Sequence, residues 1–185
     1  MISVKDYLDA YMDSVRLVPQ DPYSREVVRC YNRDLLERYP WLTPYNVCTG
    51  EPIEDYNYED TWADDIPYGW RLAFGDRMIE ELDQLLKKYN IADYKIYQIK
   101  EKWGALRWYD NGFPEEGYEE YSNWLRKYES LSERTCIFCG KPATHLTKGW
   151  IMPICKSCAG RKGYTESRLD PVTFSTESTS NQESI

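Results

Sequence analysis

The sequence predicts an α+β fold in which helices pack on a short antiparallel β-hairpin sheet, with a zinc ribbon of four cysteines near the C-terminus. Three observations predict it. Apolar residues recur at spacings of three and four over four segments, the period switches to two between Tyr94 and Tyr109, and four cysteines stand as Cys136-x2-Cys139-x15-Cys155-x2-Cys158. A chain of 185 residues accommodates one domain, or one domain with a small module appended. The expected partition is an acidic α+β domain over 1–131, the ribbon over 132–165 and a disordered tail over 166–185. Thr173 to Ile185, rich in Ser, Thr, Glu and Asn, offers little to bury.

Residues 4–18 place Val4, Leu8, Tyr11, Val15 and Val18 on one helical face, with Ser3 as N-cap and Pro19 as the stop. Ser24 is expected to cap a second helix, whose inward face is Val27, Val28, Tyr31, Leu35, Leu36 and Tyr39 before Pro40. From Trp41 to Trp70 no period holds, and the many rings there argue for a packed loop rather than a loose one. A third helix over 71–89 turns Phe74, Met78, Leu82, Leu85, Leu86 and Tyr89 inward and ends at Asn90. Tyr94–Lys100 and Ala105–Tyr109 read as a hairpin across a turn holding Gly104. A fourth helix over 115–131 uses Tyr118, Tyr121, Leu125 and Tyr128 as its stripe.

The cysteine spacing matches a four-thiolate zinc site. Two residues between cysteines let one tight turn aim both sulfurs at one ion, and Gly140 suits the left-handed backbone such a turn requires. Two knuckles then complete a tetrahedron with Zn–S bonds of about 2.3 Å. One Zn²⁺ per chain, bound by Cys136, Cys139, Cys155 and Cys158, is the expected cofactor; with every position taken by sulfur its role is structural. A rubredoxin-like iron site and a disulfide pair are the alternatives, the first weakened by Ala159 after the second knuckle, the second by the lack of an export signal. His145, the one histidine, is expected on a partly exposed strand, and Cys30 and Cys48 as reduced thiols, Cys30 as a small buried hydrophobe.

Charge is unevenly spread. The chain carries 31 acidic and 23 basic side chains, a formal charge of -8. Acids exceed bases by eleven over residues 1–125, so nucleic-acid contact is not expected there, whereas residues 126–168 carry nine bases against three acids. From Tyr45 to Trp70 no Lys or Arg interrupts Glu51, Glu54, Asp55, Glu59, Asp60, Asp64 and Asp65, and Glu115, Glu116, Glu119 and Glu120 lie in a second base-free stretch. Three readings compete for these acids: a solvated face over packed rings, the Mg²⁺ or Ca²⁺ ligands of a metal-dependent nuclease, or a surface that imitates nucleic acid and occupies a basic groove. The ribbon's Lys141, Lys148, Lys156, Arg161 and Lys162 are candidate nucleic-acid contacts, or solvated cations around a folding staple. No apolar run spans a membrane and the start is no signal peptide, so a cytoplasmic location in a bacterial host cell is expected.

Larger motifs add a resemblance. Tyr97-Gln-Ile-Lys-Glu-Lys-Trp-Gly-Ala-Leu-Arg-Trp-Tyr109, Cys136-x-x-Cys139-Gly-Lys-Pro-Ala, Gly149-Trp150-Ile-x-Pro-x-Cys155, Tyr39-Pro-Trp-Leu-Thr-Pro44 and Pro67-Tyr-Gly-Trp-Arg-x-Ala-Phe-Gly75 cover about residues 36–160. Together they resemble a family of small zinc-ribbon proteins of phages and mobile elements in gut Firmicutes, and the acidic character is similar to that of anti-CRISPR proteins. The resemblance implies a non-enzymatic inhibitor of a type II CRISPR effector nuclease, binding that basic partner through the acidic loops and touching DNA through the ribbon. It assigns no catalytic residue. A zinc-ribbon DNA-binding accessory protein is the alternative, and a metal-dependent nuclease the third.

Overall fold

The computed structural model describes residues 3–15 and 22–172. Its helices are α1 (Val4–Val15), α2 (Pro22–Arg38), a single turn α3 (Tyr68–Trp70), α4 (Asp76–Lys88), α5 (Tyr118–Arg134) and α6 (Lys156–Arg161). Its strands are β1 (Ile96–Lys102), β2 (Ala105–Asp110), β3 (His145–Thr147), β4 (Pro153–Ile154) and β5 (Leu169–Pro171). They form two antiparallel sheets, the hairpin β1-β2 and a three-stranded sheet in the order β4-β3-β5. The fold is a mixed α+β one with a C-terminal four-cysteine cluster, as the periodicities predict.

Ser3 caps α1, its Oγ accepting the Asp6 amide at 3.1 Å. The expected end of this helix, at Val18 and Pro19, lies outside the described residues, as does Thr173 to Ile185. Helix α2 begins at Pro22 rather than after Ser24, because Pro at the first helical position already has the required φ and no N–H to satisfy. Tyr7 stacks on Tyr31 with ring centroids 4.0 Å apart, joining α1 to α2.

The third helix starts earlier than its apolar stripe. The turn α3 runs directly into a π turn, Arg71–Gly75, and then into α4. Gly69 disguises this start in the sequence, since glycine is a poor helix former. Within α4, Met78, Ile79, Leu82 and Leu86 are buried while Leu85 and Tyr89 are only partly covered. Arg71 is buried with them; its Nη2 donates to Tyr31 Oη at 3.0 Å and its Nη1 is paired with Asp76.

The hairpin turns at Trp103-Gly104, both at positive φ (57° and 79°), with Lys102 opposite Ala105. Its inner face places Ile99 beside Trp108, against which Trp124 of α5 packs edge-on at 5.3 Å. Trp124 Nε1 donates to the Met78 carbonyl at 3.1 Å, tying α5 to α4. The inward stripe of α5 is Tyr121, Trp124, Tyr128 and Ser132. Tyr118, expected inward, is exposed: it sits in the first turn, before the helix reaches the sheet. Leu169–Pro171, expected within the disordered tail, instead pair with β3 and complete the ribbon's sheet.

Candidate metal centre

The first knuckle is a backbone device. Cys136 O accepts the amides of Cys139 (3.3 Å) and Gly140 (3.0 Å), and Gly140 supplies the positive φ (73°) that closes the turn. The second is built on a helix start. Cys155 is the N-cap of α6, and its Sγ accepts the Cys158 amide at 3.4 Å. The ligand atoms of Cys136, Cys139, Cys155 and Cys158 all lie within 4.8 Å of one another. Zn–S bonds of about 2.3 Å in a tetrahedron place sulfurs about 3.8 Å apart, and Cys139 Sγ stands 3.6 Å from Cys155 Sγ. That separation is far beyond a disulfide bond of about 2.05 Å.

Without an ion the four thiols conflict. Burial and the neighbouring Cys139 and Cys155 push the Cys158 thiol up to about 12. Burial acts the same way on Cys155, but it is outweighed by the Cys158 amide and the adjacent thiols, which bring Cys155 down to about 7. Four sulfurs so close cannot all ionise unless a cation joins them, so the cluster is able to chelate a metal ion, and binding releases protons. Arg161 closes the surroundings, its Nη2 donating to Cys158 Sγ at 2.8 Å. His145 lies half-buried on β3 with its Nδ1 2.8 Å from Thr144 Oγ1, outside the converging set.

The knuckle is docked on the helical core. The Gly69 amide donates to the Ile137 carbonyl at 2.8 Å and Trp70 Nε1 to the Thr135 carbonyl at 2.9 Å. A Cβ on Gly69 would stand 2.2 Å from Cys136 O, so only glycine permits this approach. Ile137, between the first two cysteines, belongs to the main core. This dock is absent from the sequence reading; its trace is the pair of glycines, Gly69 and Gly140, whose backbones meet.

The charged candidates separate by environment. Glu51, Glu54, Asp55, Asp60 and Asp65 are exposed, as are Glu115, Glu116 and Glu119. Glu59 is paired with Arg29 at 2.6 Å, and Glu120 with Lys88 at 2.5 Å and the Tyr89 hydroxyl at 2.9 Å. Asp64 departs from the expected surface role. Its carboxylate turns inward, accepting the Thr61 amide (2.6 Å) and hydroxyl (3.0 Å) and the Tyr7 hydroxyl, and burial raises it to about 6 despite these donors. Among the ribbon cations, Arg161 is spent on Cys158 Sγ, Lys148 is paired with Asp170 at 3.2 Å, and Lys162 Nζ lies 4.1 Å from the centre of the Phe138 ring. Lys141 and Lys156 stand exposed.

Cys30 is half-buried beside Glu26 rather than wholly buried, and Cys48 is exposed. Among the described residues, no helix is long and apolar enough to cross a membrane. No family model, curated protein or solved structure matches the chain, so its role is read from its own residues.

Proposed function

We propose that the chain is a non-enzymatic, zinc-stapled binding protein that sets its anionic loop into a basic groove of a nucleic-acid-processing protein in the bacterial cytoplasm. The family resemblance makes a type II CRISPR effector nuclease the partner to test. What supports this reading is the way the acids are held. Glu51, Glu54 and Asp55 are exposed and in no ion pair among the described residues. Their loop is anchored at its base, where Tyr45 Oη donates to the Ile96 carbonyl at 2.8 Å and Tyr45 bridges to Pro52. Tyr56 and Tyr58 pack on the main core behind it. Carboxylates on an ordered loop lose less entropy on docking, which favours binding through charge. The loop acids do not gather on a common point; among the described residues the converging ligand set is the cysteine four. The nuclease reading therefore gains no support from them.

Charge reversal of Glu51, Glu54 and Asp55 to Lys, leaving the paired Glu59 and inward Asp64 intact, tests the loop. Binding to the effector nuclease should fall at least a hundredfold while circular dichroism and metal content stay unchanged; retained binding would refute the proposal. For the ion, elemental analysis should return one zinc per chain, and iron in its place would overturn the zinc assignment.

A further inference from the structure

Between α6 and its sheet, the ribbon holds a cavity of about 380 Å³. The strand register builds one wall. His145 stands opposite Pro171 across β3 and β5, and alternation puts Leu169 on the same side of the sheet. Helix α6 builds the other, because Lys156, Ala159 and Gly160 recur at spacings of three and four and so share a face. Tyr164 and Glu166 complete the lining from the segment that joins α6 to β5. Its apolar part is well fixed: Ala159 is buried, and Leu169 and Tyr164 pack against the ribbon's own core. Gly160 keeps the space clear, since a Cβ there would meet no heavy atom within 4 Å.

The charges around this apolar lining are of both signs. Lys156 and Glu166 both face the cavity, yet among the described residues neither enters an ion pair, with the other or with a third group. His145 Nδ1 lies 2.8 Å from Thr144 Oγ1, which also accepts the Lys156 amide at 3.0 Å. That contact orients the ring and leaves Nε2 as the nitrogen a ligand can meet. Cations alone would select an anion. An ammonium and a carboxylate that do not neutralise each other, set around one apolar cavity, select a ligand carrying both charges on an apolar body.

We infer that this cavity binds a free α-amino acid with an apolar side chain. The ligand carboxylate meets Lys156 and His145 Nε2, its ammonium meets Glu166, and its side chain lies against Ala159, Leu169 and Pro171. The volume suits a ligand of that size, standing near the lower end of the about 300–1,000 Å³ usual for small-molecule sites. Three separate attachments also require one hand of the ligand. The inference goes beyond the anionic-loop proposal and uses neither its residues nor its partner.

The test is isothermal titration calorimetry of the full, metal-loaded chain with L-phenylalanine, which should saturate with a Kd of about 1 mM or tighter. D-Phenylalanine, 3-phenylpropionate and phenethylamine should each bind about tenfold more weakly, the first for its hand and the others for a missing charge. Lys156→Gln should weaken L-phenylalanine and 3-phenylpropionate about tenfold or more and leave phenethylamine unaltered; Glu166→Gln should weaken L-phenylalanine and phenethylamine and leave 3-phenylpropionate unaltered. Circular dichroism and metal content verify that each variant is folded. The D-isomer also separates binding from extraction of the metal, since both hands chelate an ion equally. No saturation with L-phenylalanine, equal response to the two hands, or L-phenylalanine binding unaltered in the two variants would each overturn the assignment.

Discussion

Gly69→Ala places a methyl group where the metal knuckle already is. The new Cβ would lie 2.2 Å from Cys136 O, 2.6 Å from Ile137 C and 2.7 Å from Cys139 N, all of them backbone atoms that no rotamer change can move aside. Relief requires α3 to withdraw by more than about 1 Å to restore ordinary contact distances of about 3.5 Å. That withdrawal breaks the Gly69 amide bond to Ile137 O at 2.8 Å and the Trp70 indole bond to Thr135 O at 2.9 Å. Each lost bond costs about 1 kcal/mol, and an indole N–H stranded in the core adds about 1–3 kcal/mol. Against this, Ala is the better helix former by about 1 kcal/mol. The net loss is therefore about 2–4 kcal/mol, a large share of an ordinary domain's stability of about 5–15 kcal/mol. Urea unfolding of the metal-loaded protein measures it, and competition with a chromophoric chelator measures the accompanying loss of metal affinity. A variant as stable as the parent with unaltered metal retention would refute the docked-knuckle account.

Two further outcomes follow from single side chains. Arg161→Ala removes the donor 2.8 Å from Cys158 Sγ and should lower metal affinity about tenfold or more, read by the same chelator competition, while Lys156→Ala should not. Asp64 titrates at about 6 when folded against an ordinary 3.8, so the native state holds its proton more tightly than the unfolded chain. The penalty is absent below about pH 4, grows between about pH 4 and 6 and is complete above, reaching on the order of 3 kcal/mol. The stability of the parent relative to Asp64→Asn should fall over that window, and parallel profiles would remove Asp64 as the cause. Taking the difference between the two proteins cancels the acid-driven loss of metal that they share.

What was legible in the sequence was local. Cysteine spacing is set by the turn that joins two sulfurs, so Cys136, Cys139, Cys155 and Cys158 could be assigned without knowing what surrounds them. The hairpin was legible for the same reason, since side-chain alternation is a property of the strand itself. The acids were legible as a run but not by role. Glu54 and Asp64 look alike as charges, but Asp64 stands three residues after Thr61, whose amide and hydroxyl it accepts, and Tyr7, 57 residues away, donates to it as well. Arg161 reads as a surface cation until α6 turns it back over Cys158.

The π turn at Arg71–Gly75 has a consequence for insertions and deletions. A π turn is an α-helix carrying one surplus residue, and each helical residue advances the chain by about 100°. Deleting one residue there would restore a regular helix and rotate everything before it by about that angle relative to α4. Trp70 would swing off the Thr135 carbonyl and Gly69 off the knuckle, although no cysteine had been touched. The metal centre is thus phased by the length of a helix more than sixty residues before its first ligand, and a one-residue deletion there should act on metal retention as a ligand mutation does.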